Sequence, residues 1–162
     1  MSEQKRYETI EEAINEQLHG EARENALAFA AYLNENDLPP NMLAWGKFTD
    51  NGVHRGHMWL EGENQWRFEI FDYLHFGEFT DDDEAFTKAV HDHVNICGAP
   101  CHDQCWRAKD VKIFGKEFKS VCSQHSLAFV NPDIETLAHM KKLLEYSKQT
   151  TPYVQQYHPN NW

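Results

Sequence analysis

Cys97, Cys101, Cys105 and Cys122 are the four cysteines of this chain, and they fall in one short stretch of its 162 residues. The stretch reads C-G-A-P-C-H-D-Q-C-W-R-A-K-D-V-K-I-F-G-K-E-F-K-S-V-C. Thiols gathered in this way, in a compartment that keeps them reduced, suit a metal better than a pair of structural disulfides. On an unbroken helix Cys97 and Cys105 would stand about 12 Å apart along the axis, too far for one ion whose bonds to sulfur are about 2.3 Å. Gly98-Ala99-Pro100 prevents an unbroken helix, so the segment is free to curl. Val111–Phe114 and Glu117–Cys122 are expected to form a hairpin around Gly115-Lys116, with glycine first in a type II′ turn. If Phe114 faces Glu117, Cys122 falls opposite Lys109, four residues after Cys105. The expectation is a structural zinc ion held by Cys97, Cys101, Cys105 and Cys122. His102 or His125 is an alternative fourth ligand, since Cys122-Ser-Gln-His125 has workable spacing. The C-x3-C-x3-C spacing differs from a zinc-ribbon knuckle, and an iron–sulfur cluster, buried thiols or a redox pair would use the same residues.

A second constellation is aromatic and polar. The strand-like region between Met42 and Phe79 carries Trp45, Trp59, Trp66, Phe68, Phe71, Tyr73 and Phe76. Strict alternation along 53–60 would put Arg55, His57 and Trp59 on one face, opposite Met58 and Leu60. Trp45, Arg55, His57, Trp59, Trp66 and Arg67 are therefore candidate walls of a small-molecule cavity, with ordinary core packing as the competing reading. The same alternation separates His54 from His57. His91 and His93 diverge on a helix, and His93 is expected as a core histidine. His75, near Asp72 and Glu78, is a candidate acid–base group. Serine-nucleophile motifs, phosphate-cradling loops and dinucleotide fingerprints are missing from the sequence.

The elements that would position these residues are legible in outline. Thr9-Ile10-Glu11-Glu12 is a capping box opening a helix with Ile10, Ile14 and Leu18 on its buried face, and Gly20 as its stop. A second helix over 21–35 carries the stripe Ala22, Ala26, Phe29, Ala30 and Leu33. Asp50-Asn51-Gly52 is a hairpin turn joining strands 42–48 and 53–60, and Glu61–Asn64 leads into a third strand, 65–73. Asp81-Asp82-Asp83-Glu84 begins a helix whose buried face is Phe86, Ala89, Val90, His93 and Val94. After the cysteine hairpin, Asn131 as cap and Pro132 as first helical residue open a last helix with Ile134, Leu137, Met140 and Leu144 inward. The order ααβββαββα defines an α+β fold, a single antiparallel domain over 1–148, with the cysteine site at 97–122 and a loosely held tail at 149–162.

Composition narrows the function. Fifteen Lys and Arg against 26 Asp and Glu give a formal charge of −11, which repels nucleic acid and anionic membrane surfaces. The N-terminus lacks a secretory pattern and no apolar run approaches the roughly 20 residues of a membrane span, so a cytoplasmic location is expected. The run C-G-A-P-C-H-D-Q-C, followed by V-K-I-F-G-K-E-F-K-S-V-C and F-V-N-P-D, resembles small cysteine-containing proteins of anaerobic Gram-positive bacteria, a family without assigned activity. The likeness spans roughly 42–147 and is most specific in its final third. It implies a common fold and the shared cysteines Cys97, Cys101, Cys105 and Cys122. The reading from sequence is thus a non-catalytic, small-molecule-binding or interaction domain with structural zinc. A metal- or thiol-dependent enzyme built on the same cysteines is the alternative, and an acidic inhibitor of a basic nucleic-acid-binding protein is a third class.

Overall fold

The computed structural model describes residues 7–42, 46–70, 73–97, 108–122 and 127–150, with side chains omitted at 73–75. The fold is α+β. Helix α1 (Ile10–Gln17) opens on the expected capping box: the Thr9 hydroxyl accepts from the Glu12 amide at 3.2 Å, and the Glu12 carboxylate accepts from the Glu8 and Thr9 amides. Helix α2 (Gly20–Glu35) closes through Asp37, whose φ of 58° lets the Leu38 amide reach the Leu33 carbonyl at 2.8 Å. Asp37 here takes the left-handed position usually held by glycine, and Leu33 and Leu38 are both buried beside it.

Strands β1 (Lys47–Asp50), β2 (Val53–Leu60) and β3 (Trp66–Ile70) form the expected meander. Asn51 and Gly52, with φ of 48° and 80°, make the two-residue turn between β1 and β2. A 3-10 helix (Tyr73–Glu78) follows, then α3 (Glu84–Asp92), capped by the Asp83 carboxylate on the Phe86 amide at 3.0 Å. Strands β4 (Lys109–Ile113) and β5 (Lys116–Val121) are a separate two-stranded sheet. Strand β6 (Leu127–Val130) was not expected from sequence; it pairs with β3 and extends the main sheet to β1-β2-β3-β6. Helix α4 (Ile134–Gln149) ends the described chain, with Thr150 as its cap.

One face of the main sheet is core. Phe48, Met58, Trp66, Phe68, Ile70, Leu127 and Phe129 are all buried, and Phe29 of α2 meets Phe68 at 4.8 Å and Trp66 at 6.0 Å between ring centroids. Leu137, Met140, Leu143 and Leu144 of α4 join the same core. Ile134, expected inward, is 66% exposed. Gly56 sits on this face under the ring of its cross-strand partner Phe48, and a Cβ there would come within 2.1 Å of the Glu69 carbonyl oxygen and 2.7 Å of Phe48 Cζ.

Two expected termini are corrected. Asp133, not Asn131, caps α4, accepting from the Thr136 amide at 2.8 Å. Asn131 is diverted to the start of β3: its Oδ1 accepts from the Trp66 amide at 2.9 Å and its Nδ2 donates to the Asn64 carbonyl at 3.1 Å. Its φ of 43° is incompatible with the extended backbone a cap requires. Gln149 lies within α4 and Thr150 is buried, so the tail's first two residues belong to the folded body; the rest of the tail lies outside the described residues.

Gly56→Ala is expected to destabilise the protein by about 3 kcal/mol, since the methyl meets backbone on one side and a packed ring on the other. Chemical denaturation checks this; a loss under about 1 kcal/mol would show that the β2–β3 ladder yields at this point.

Candidate metal centre and polar sheet face

Residues Val94–Cys97, which leave α3, connect the two sheets. Val94 pairs with Leu127 of β6, and Ile96 pairs with Val121 of β5. The Cys97 amide donates to the Ser120 carbonyl at 2.7 Å, and the Cys122 amide donates to the Asn95 carbonyl at 2.9 Å. Ile96 and Val121 face each other, so Cys97 and Cys122, each one residue further along, lie together on the opposite face of this short ladder. They occupy diagonal positions, about 7–8 Å apart between Cα atoms in regular geometry. Both are half-buried.

The route to this arrangement differs from the expected one. The β4–β5 turn is centred on Phe114-Gly115, with φ of 43° and 81°, and pairs Ile113 with Lys116. It is a type I′ turn one residue earlier than the type II′ turn at Gly115-Lys116. An irregularity near Ser120, whose φ is 54°, then restores part of the shift and sets Lys109 opposite Val121 rather than Cys122. The Asp110 carboxylate occupies this irregularity, accepting from the Ser120 amide at 3.1 Å and from Lys119 Nζ at 2.8 Å. Phe114 tolerates its left-handed backbone because its ring is gripped by Phe76, Phe86 and Tyr146 at 5.5, 5.2 and 5.0 Å. Strain of about 1–3 kcal/mol is comparable to what three such ring contacts return. Helix α3 ends at Asp92, well before Gly98 and Pro100. Cys101, Cys105, His102 and His125 lie outside the described residues, and among those described no three His, Cys, Asp or Glu side chains group to hold a metal ion.

The second face of the main sheet is polar. In β2 one extra residue, Arg55, falls between the pairs Thr49–His54 and Phe48–Gly56. This bulge reverses the alternation before it and puts His54 on the same face as His57, correcting the separation expected from period two. Their ring centroids stand 4.7 Å apart, and Trp59 stands 5.3 Å beyond His57. Lys47 and Glu69 flank His57 on the neighbouring strands, and Arg67 flanks Trp59. Desolvation, followed by the His57 and Lys47 charges, lowers the His54 pKa from 6.5 to about 4 against the opposing contact with the Gly56 carbonyl at 3.2 Å. An isolated glycine inside a strand pattern is the sequence signal that announces such a bulge.

The six candidate wall residues separate. His57, Trp59 and Arg67 share the polar face. Trp66 is fully buried on the opposite, core face. Arg55 is buried and engaged: it donates to Asp50 Oδ2 at 3.2 Å and to Thr150 Oγ1 at 2.9 Å. Trp45 lies outside the described residues. Arg67 bridges Glu61 at 2.9 Å and Glu69 at 3.2 Å, and Glu69 is wholly buried, a residue the sequence reading passed over. His93, expected in the core, is half-buried at the end of α3, with its ring stacked on Phe129 at 4.3 Å and Nδ1 2.7 Å from the Ala89 carbonyl. His91 meets the Ile113 carbonyl at 2.9 Å. Asp72 and the His75 side chain are outside the described residues, so the acid–base pairing expected there is too.

Comparison of the chain with family models, curated proteins and solved structures returns no match. Among the described residues no helix is long and apolar enough to cross a membrane.

Arg67→Ala is expected to cost about 3 kcal/mol, because it leaves the buried Glu69 charge without its guanidinium. Adding Glu69→Gln in the same chain should recover more than half of that loss in urea denaturation. Equal stabilities for the single and double variants would show that Arg67 does not serve to compensate Glu69.

Proposed function

We propose that the chain is a non-catalytic binding or interaction domain in which a zinc ion, held by Cys97, Cys101, Cys105 and Cys122, fastens the β4–β5 hairpin to the segment leaving α3. The observation that carries the reading is the Ile96–Val121 ladder, which brings Cys97 and Cys122 to one face from positions far apart in the chain. Their diagonal placement, about 7–8 Å in regular geometry, exceeds the usual Cα separation of a disulfide but suits two thiolates converging on one ion. Cys101 follows Cys97 by four residues and Cys105 by eight, a distance from which the chain readily returns to a common point. Four thiolates close the coordination shell, which supports a fastening role; chemistry at the metal would need a position open to water. The polar face supports the binding part of the proposal, since His57, Trp59 and Arg67 stand there in adjacent strands.

Native mass spectrometry with elemental analysis of the full chain is expected to find one zinc per protein. Cys97→Ser and Cys122→Ser should each lose it, with a fall of roughly 10 °C in melting temperature, corresponding to about 4 kcal/mol. A metal-free wild-type protein whose melting temperature matches that of both variants would remove the zinc site. One zinc retained with three protein ligands and a bound water would shift the reading to a metal-dependent enzyme.

A further inference from the structure

The β2 bulge ties together features that serve neither the cysteine ladder nor the sheet as such. The one inserted residue, Arg55, is directed to Asp50 Oδ2 at 3.2 Å and to the Thr150 hydroxyl at 2.9 Å, anchoring the end of α4 to the first hairpin. Thr150 is itself held to α4, with its hydroxyl donating to the Ser147 carbonyl at 2.7 Å and its amide to the same oxygen at 3.1 Å. The same insertion brings the His54 ring against His57. The anchored arginine and the imidazole pair therefore depend on one local backbone geometry.

We propose that His54-Arg55-Gly56-His57 is an acid-operated latch: proton uptake by the imidazole pair unseats the bulge and releases the hold of Arg55 on the end of α4. Among the described residues, charged groups on both neighbouring strands face the pair. On β1, Lys47 lies opposite His57, and Asp50 belongs to Arg55. On β3, Glu69 lies opposite His57, with Arg67 on the same face. Desolvation, followed by the His57 and Lys47 charges, opposes a proton on the half-buried His54, whose Nε2 stands 3.2 Å from the Gly56 carbonyl. His54 is protonated more readily once the bulge opens and water reaches it. Its depressed folded pKa means that the opened form binds the extra proton between the ordinary histidine value and about 4. The latch is therefore closed at neutral pH and loosens as pH falls through that window.

The test is amide hydrogen exchange and imidazole titration by NMR on the full chain from pH 7.5 to 4.5, corrected for intrinsic exchange. The Thr150 and Arg55 amides should lose roughly tenfold or more of their protection as pH falls, while Phe29 in α2 keeps its own. His54→Gln should abolish the pH dependence of Thr150 protection. His57→Gln, which removes the imidazole that opposes protonation of His54, should shrink the loss of Thr150 protection. Arg55→Gln should leave Thr150 weakly protected at every pH. The proposal fails if protection at Thr150 falls only together with Phe29, as in global unfolding, or if His54→Gln retains the wild-type profile.

Discussion

Backbone pairing of the short segment Val94–Cys97 is the constraint on which the rest of this structure depends. It contributes a bridge on each side, to Leu127 and to Val121, and so connects a four-stranded sheet to a two-stranded one that no other strand joins to it among the described residues. A two-stranded hairpin alone is marginal in water. The β4–β5 hairpin is held by this pairing, by the Phe114 ring against Phe76, Phe86 and Tyr146, and by the Phe114 amide on the Phe76 carbonyl at 3.0 Å. A metal at Cys97 and Cys122 would act at the weaker end of that attachment, where the ladder is shortest. The fastening proposed for the cysteines would therefore have the most to add there.

The second controlling feature is a single inserted residue. Without Arg55 as a bulge, β2 would show His54 to the core face and Arg55 to the polar one. The bulge exchanges those roles, and two consequences follow from one backbone irregularity. The imidazoles meet, and the guanidinium turns to Asp50 and Thr150. Sheets pay for such irregularities with lost ladder bonds, and they persist where side chains over-determine them.

Much of this was legible in the chain. The capping box at Thr9, the Asn51-Gly52 turn, the third strand after Glu61–Asn64 and the acidic opening of α3 rest on local rules, and local rules were enough. The errors share a different origin. Asn131 has every property of a helix cap, but its amide is committed to Trp66 and Asn64, partners 65 and 67 residues away. Phe114 has the wrong backbone preference for a type I′ turn and is kept there by an aromatic cluster assembled from three other elements. Strand β6 is four residues long, and its strand character comes from the free edge of β3. At the polar face, the complete burial of Glu69, with Arg67 turned to meet it, is a tertiary fact.

The two candidate sites follow the same physical pattern. Each sits where regular pairing is interrupted: the cysteines where two sheets meet through isolated bridges, the histidines at a bulge. Uninterrupted sheet fixes every backbone polar group and leaves little freedom for a bound ion or proton to exploit. At an interruption the alternative conformation is closer in free energy, so a modest differential affinity for one conformation shifts the balance. Lone ligands on a continuous ladder would bind without consequence for the fold. Placed at a junction or a bulge, the same residues would make occupancy of the site and the position of a whole element, the β4–β5 hairpin or the end of α4, parts of one equilibrium.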